Sequence, residues 1–501
     1  MFFGSGRPWR RGRLLFKLFR VGEEGVERQK DRWWPLLVIV LVSLYGVLDF
    51  FSFGVKMSGN PGFPLDDSWI FWGYAKTFVS SSSLSINSLT PPAAGATSLG
   101  FFFLLSLMIK LGASNPFLTM LSLNAIFLVL SGCLLYLLAR ETGGNRVLSL
   151  LVALLFVTDG RVLAVANSGM ETTLFLWTLL LSLYFLKRGK IALFSASLGV
   201  GFWIRPEAVF LLLPALLLFR EVRKPLKILP FLLLCAANLL SLKLLSGSFL
   251  ANTGAAKFAF YGYVGRGEFL FELLKYLLFT AFPFLLVGFL GALRFLRRSL
   301  PFSGVLLLFA LLFVLFYAVK LPVLYHYGRY LLPLIPLLLA FTVSLFPQVS
   351  PKLRSWLPLL LLVSLLVGLF GYKRYRTLYA YDCYIFSSRH VKASSWIYHR
   401  LGREAVVAAH DIGALGYLGE RRVVDMVGLI DKEAIGLSDK PLELKRYLLA
   451  RGVTHIAVLD SWFAVQSAPL LYETNPGESP SMRIYRMTPE TLVVRRDLAG
   501  L

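Results

Sequence analysis

The stretch WPLLVIVLVSLYGVLDFFSFG, residues 34–54, decides the fold class. It is close to the ~20 apolar residues that an α-helix needs to cross a ~30 Å hydrocarbon core. Apolar runs recur at Leu174–Leu186, Ile228–Leu245 and Trp356–Gly371, several of them shorter than a comfortable span. The whole chain agrees: of 501 residues, 56% are hydrophobic and only 16% charged, against about 25% charged in a soluble globular chain. The expectation is a polytopic α-helical membrane bundle of about eleven transmembrane helices.

The net charge of +24 invites a nucleic-acid reading, but the basic residues sit in short clusters between apolar runs. That is the pattern of cytoplasmic loops, so nucleic acid is not an expected partner and membrane lipid is. The three cysteines, Cys133, Cys235 and Cys383, allow neither a disulfide framework nor metal-ligand spacing. The N-terminus carries Arg7, Arg10, Arg11, Arg13, Lys17 and Arg20 ahead of a long apolar run with no small-residue cleavage site. Leu14–Val21 reads either as a basic amphipathic helix on the inner surface or as a basic tail.

With residues 1–34 cytoplasmic, helix parity places every dense Lys/Arg loop inside. Residues 35–371 form the membrane domain, with a large first outer loop at 55–115. Its apolar piece Leu99–Ile109 is too short to span, and reading it as a span would put the basic loops outside. Helices follow at about 116–139, 147–158 and 228–246, among others, with a polar loop from Gly247 to Glu268. The outer loops then collect Asp66, Asp67, Asp159, Glu171, Arg205, Glu207, Lys257, Glu268, His326 and Arg329. Acids and bases at membrane depth are costly and usually functional, so one extracytoplasmic, mixed-charge face is the expected active face. From about Tyr372, strand-length runs (Ala405–Ala409, Ile456–Leu459) alternate with helix-like stretches. Residues 372–501 are therefore expected to form an extracytoplasmic soluble α/β domain with partly parallel strands.

Asp66-Asp67 follow the first membrane exit and lead into an aromatic-rich segment, Ser-Trp-Ile-Phe-Trp-Gly-Tyr-Ala75. A partly desolvated carboxylate there can act as general base toward an acceptor hydroxyl; the plainer reading is a helix cap. Glu171, in Asn167-Ser-Gly-Met-Glu171, and Glu207, in Arg205-Pro-Glu207, are acids in first helical turns, which a helix dipole also favours. Arg205 suits either an anion or an interfacial anchor. Lys257, in Asn252-Thr-Gly-Ala-Ala-Lys257, and Arg329, in His326-Tyr-Gly-Arg329-Tyr-Leu-Leu-Pro333, supply cations on the same face. Arg offers a planar fork for phosphate oxygens and Lys a compact charge; snorkelling to headgroups is the alternative. Together with the opposed acids they resemble a site for a phosphate leaving group.

These motifs, in this order and followed by Asp411-Ile-Gly-Ala-Leu-Gly-Tyr417 and Val424-Asp-Met-Val-Gly-Leu429, resemble the GT-C superfamily of membrane glycosyltransferases. Within it they are most similar to the bacterial terminal arabinofuranosyltransferase and mannosyltransferase-like group, over about residues 63–435. The resemblance implies a polyprenyl-phosphate sugar donor and a cell-envelope glycan or lipid acceptor. It implies a multi-pass protein of the bacterial cytoplasmic membrane, with an acid of the first outer loop, Asp66 or Asp67, as catalytic base. Asp66 is favoured by its earlier place. Lys257, Arg329, His326 and Arg205 would bind the donor phosphate, with Glu171 and Asp159 as further site acids. The pattern departs where a basic residue is usual after the acid pair, here Trp72 or Lys76, and where Thr-Ser-Pro closes the loop, here Thr97-Ser98-Leu99. Transfer with inversion is expected, no cofactor is assigned with certainty, and a divalent metal is left open. The rivals are a lipid-linked sugar flippase or transporter, whose charges would gather near mid-membrane, and an oligosaccharide transferase of the same superfamily.

Overall fold

The computed structural model describes residues 33–93, 95, 98–249, 251–261, 265–278, 301–345 and 356–496. Four described helices are long and apolar enough to cross a membrane: Trp34–Ser58, Pro116–Glu141, Pro225–Ser246 and Pro301–Lys320. Arg146–Val157 and Gly160–Ala166 add a fifth if their 57° bend is taken within one span. The bend falls at Asp159, whose side chain accepts the Arg161 amide and starts a new helix instead of prolonging the old one. Thr172–Lys187, Ile191–Ile204, Pro206–Leu218 and Leu334–Leu345 are shorter apolar helices of the same bundle. Of the helix expected between Glu268 and Arg294 only residues up to 278 are described, the basic N-terminus and Leu14–Val21 lie outside the described residues, and no count of eleven is taken from the rest.

Two local expectations change. The stretch expected as a polar loop carries two helices, Asn252–Phe260 and Arg266–Leu278, so Lys257 stands on a helix. The last bundle helix, Leu357–Phe386, runs without a break through the expected boundary at 372. Its 30 residues make a rod of roughly 45 Å at ~1.5 Å per residue, longer than the ~30 Å apolar core. Its second half, from Tyr372, is polar, and Lys392–Arg400 continues it after a π-turn at Ser387–Val391.

The C-terminal unit is α/β, as its rhythm predicted. Strands β1 (Val406–Ala409), β2 (Arg422–Asp425) and β3 (His455–Leu459) pair in parallel in the order β2-β1-β3. Parallel pairing requires crossovers, here carried by helices Gly413–Gly419 and Pro441–Ala450. The four residues of β1 are all buried, as expected for a strand covered on both faces. After β4 (Phe463–Gln466) come β5 (Leu470–Glu473), β6 (Met482–Arg486) and β7 (Leu492–Arg495). Strands β6 and β5 extend the sheet antiparallel, while β4 and β7 pair separately.

This unit is joined to the segment between helices Trp34–Ser58 and Pro116–Glu141. Asn87 Nδ2 donates to the carbonyls of Gly416 and Arg421, each at 2.8 Å, and the Val423 amide donates to Thr90 Oγ1. Helix Gly413–Gly419 packs on helix Asp66–Ser81. The acid pair thus sits where the bundle, its first loop and the C-terminal sheet meet.

Candidate active site

Asp66 and Asp67 open helix Asp66–Ser81, but neither caps it: the cap position is Leu65, which makes no side-chain bond to the helix. Successive helical residues point about 100° apart, and the two carboxylates accordingly meet different partners. Asp66 accepts the backbone amides of Gly413 at 2.6 Å and Ala414 at 2.8 Å. Asp67 Oδ2 accepts Lys257 Nζ at 3.2 Å and Arg329 Nη2 at 2.5 Å. The same two cations donate to Tyr330 Oη, at 3.2 and 3.1 Å.

Opposite electrostatics follow. Desolvation, helped by the charge of Asp411, pushes the Asp66 carboxyl up to about 7, against the pull of His390 and the two amides. Burial would raise Asp67 as well, but Lys257 and Arg329 outweigh it and hold that carboxyl well below the usual range. One acid is poised to exchange a proton near neutral pH; the other is fixed as an anion.

Two cavities flank the pair. The larger, about 440 Å³, is walled by apolar side chains such as Ile70, Phe71, Phe202, Phe210 and Phe316, with Glu171, Arg205 and Glu207 among them. The smaller, about 220 Å³, is lined by Asp66, His326 and Asp382 and, from the C-terminal unit, by His410, Asp411 and Trp462. Asp67, Lys257, Arg329 and Tyr330 line both, so they form the partition. Asp66 lines only the smaller cavity.

Arg329 reaches this partition through a sharp turn. His326 and Tyr327 have φ of 55° and 63°, followed by Gly328 at 67°. Consecutive left-handed residues with side chains cost energy and concentrate at functional sites. A Cβ on Gly328 would collide with the Tyr276 ring. In the larger cavity, Arg205 donates to Tyr317 Oη at 2.8 Å and to Glu207 at 3.2 Å. The second terminal nitrogens of Arg205 and Arg329, and Glu171 Oε2, are buried without a hydrogen-bond partner among the described residues. Buried polar atoms are rarely left so, and two unused guanidinium donors beside Lys257 form a pocket suited to an anion.

The structure brings together Asp66, Asp67, Lys257, His326 and Arg329, with Glu171 and Arg205 across the partition. It does not bring Asp159, which is bound to its neighbour Arg161 and lines a third cavity with Asp49 and Arg376. Lys76 and Trp72 face Tyr417 Oη, at 3.3 and 3.1 Å, and neither lines the two cavities. The sequence reading missed Tyr330, Asp382, His390 and His410. Tyr330 stood beside Arg329 and His410 beside Asp411, in motifs already singled out, whereas nothing in the sequence links Asp382 or His390 to the acid pair.

The architecture is a bundle of apolar helices with a C-terminal α/β unit packed on the helix that carries the acid pair. The chain has the fold of ArnT from Cupriavidus metallidurans. The crystal structure of that protein bound to undecaprenyl phosphate is 11% identical, with TM-score 0.58, covering 91% of this chain and 98% of that one. Its apo crystal structure is 12% identical, with TM-score 0.60, covering 90% and 98%. A family described as "Domain of unknown function (DUF8728)" matches residues 377–491. No curated protein matches.

Proposed function

We propose that this chain is a membrane glycosyltransferase that moves a sugar from a polyprenyl-phosphate donor to a cell-envelope glycan or lipid on the extracytoplasmic face of a bacterial cytoplasmic membrane. One observation carries the reading: Lys257 and Arg329 sit on the partition between an apolar cavity and a smaller, more polar one that contains Asp66. The apolar cavity suits the lipid end of the donor, and the likeness to a protein crystallised with undecaprenyl phosphate supports that choice. Lys257, Arg329 and Arg205 would meet its phosphate, with His326 at the edge. The sugar would cross the partition, exposing its anomeric carbon to the smaller cavity.

An acceptor hydroxyl entering that cavity meets Asp66. The carboxylate takes the hydroxyl proton as the oxygen bonds to the anomeric carbon and the bond to the phosphate oxygen breaks. Polyprenyl phosphate leaves with the electron pair, its growing charge offset by Lys257 and Arg329. Attack from the face opposite the leaving group inverts the anomeric centre. Asp67, held as an anion, keeps the two cations from repelling each other. Among the described residues no group of three or more His, Cys, Asp or Glu is arranged to hold a metal ion, so no step is assigned to one.

The test is mass spectrometry of products from purified protein given a panel of polyprenyl-phosphate sugars and envelope extract. Release of polyprenyl phosphate with one sugar added to an acceptor is expected for at least one donor. Lipid movement across vesicles with no covalent product would replace this reading by a flippase.

A further inference from the structure

We propose that the acceptor is a neutral sugar ring, held in the smaller cavity by His390, His410 and Asp411. The inference rests on the glycosyltransferase reading and names the substrate class of its second cavity.

His390, His410 and Asp411 line the smaller cavity together with Asp66. His390 Nε2 lies 2.8 Å from Asp411 Oδ2, with the imidazole stacked on Phe386 at 4.3 Å. His410 Nε2 lies 3.3 Å from the same oxygen. Both imidazoles are buried, at 5% and 2% exposure. Yet His390 Nδ1 and His410 Nδ1 lack a hydrogen-bond partner among the described residues. Buried ring nitrogens are costly to leave unmatched, and both histidines are among the residues that line the cavity. A carboxylate has about four lone-pair sites, more than two imidazoles occupy.

The rest of the lining narrows the chemistry. Phe260, Tyr261 and Trp462 add aromatic surface. A sugar ring has apolar C–H faces for such surface and hydroxyl edges that donate to a carboxylate and exchange bonds with imidazoles. With Lys257 and Arg329 engaged by Asp67 and the donor phosphate, a phosphate or carboxylate acceptor would face the Asp411 carboxylate with no free cation among the described lining residues to offset it. An unfunctionalised lipid alcohol would leave the imidazoles unmatched. The same loop also orients the base, since Gly413 and Ala414, just after Asp411, hold Asp66. Filling the cavity therefore places a ring hydroxyl against a carboxylate fixed by that loop.

The experiment uses the full-length protein in detergent with an active polyprenyl-phosphate sugar. Octyl glycosides of several hexoses and pentoses serve as acceptor probes, beside octanol. Transfer to at least one glycoside is expected. His390→Leu and His410→Leu should each raise its KM tenfold or more while the donor KM stays at the wild-type value. His390→Gln, which keeps a hydrogen-bonding side chain, should recover part of the loss. An acceptor KM unchanged in both Leu variants, or a change confined to the donor KM, overturns the proposal. So does transfer to octanol that matches or exceeds transfer to every glycoside, although glycosyl transfer itself would stand. Absence of both transfer and donor hydrolysis with every donor would bring down the underlying reading as well.

Discussion

The backbone amide of Gly413 donates to Asp66 Oδ2 at 2.6 Å, joining residues 347 positions apart in the chain. The approach is close enough that a Cβ on Gly413 would collide with the Asp66 carbonyl oxygen and carboxyl. Gly413→Ala should therefore move the loop off the acid. Turnover is expected to fall at least tenfold while far-UV circular dichroism keeps its helical signal. Unchanged turnover would show that this contact does not position the site.

Asn substitutions separate the two acids. Loss of a positioned base typically costs 10²–10⁴ in rate, so Asp66→Asn should be nearly inactive. Its amide would also face two backbone donors with only one acceptor, and a lost bond to a charged group costs about 1.5–3 kcal/mol, so some loss of melting temperature is expected. Asp67→Asn should act mainly on donor KM. If both variants transfer sugar at the wild-type rate, the base lies elsewhere, with Glu171 the next candidate.

Lys257→Ala and Arg329→Ala address the phosphate. Each removes a charged hydrogen bond worth about 1.5–3 kcal/mol, or roughly 10- to 150-fold in donor affinity or rate at ~1.4 kcal/mol per factor of ten. Arg329 is the more buried, its side chain 4% exposed against 22% for Lys257, so its loss should cost more stability. Wild-type donor kinetics in both would remove these residues from the site.

The pH profile tests Asp66 directly. With its carboxyl raised to about 7, the base is protonated and idle below that value. Rate should rise with pH through about 7 and then level off. The linked stability has the opposite sense: a carboxyl raised on folding favours the fold at low pH, and that contribution is lost as pH climbs through about 7. Asp67 and Asp411, both held low, contribute stability that is present at neutral pH and is lost progressively as pH falls through the ordinary carboxylate range and below. A rate flat from pH 5 to 8 would rule out Asp66 as a base of that pKa.

Orientation is open to a fusion. A reporter that functions only in the cytoplasm, attached after Leu501, should be silent if the proposed orientation, read from helix parity and the basic loops, holds. An active reporter would overturn both the parity and the outer active face.

Composition and run length alone determined that the chain enters a membrane and ends in an α/β unit. Apolar runs such as 34–54 and the buried β1 segment carry their meaning locally, through transfer energy and strand periodicity. The acid pair, Lys257 and Arg329 were likewise legible as charges beside apolar runs. The sequence could not assign their partners. Asp66 and Asp67 are neighbours in the chain, and only the tertiary structure sends one to the Gly413 amide and the other to Arg329. Asp159 looked equivalent to Glu171 until folding bound it to Arg161. His390 and Asp382 carry no local mark; they reach the cavity because helix Leu357–Phe386 continues past its apolar first half into the C-terminal unit. Proton affinity and partner choice depend on distances of a few ångströms between groups hundreds of residues apart, and those distances exist only once the chain has packed.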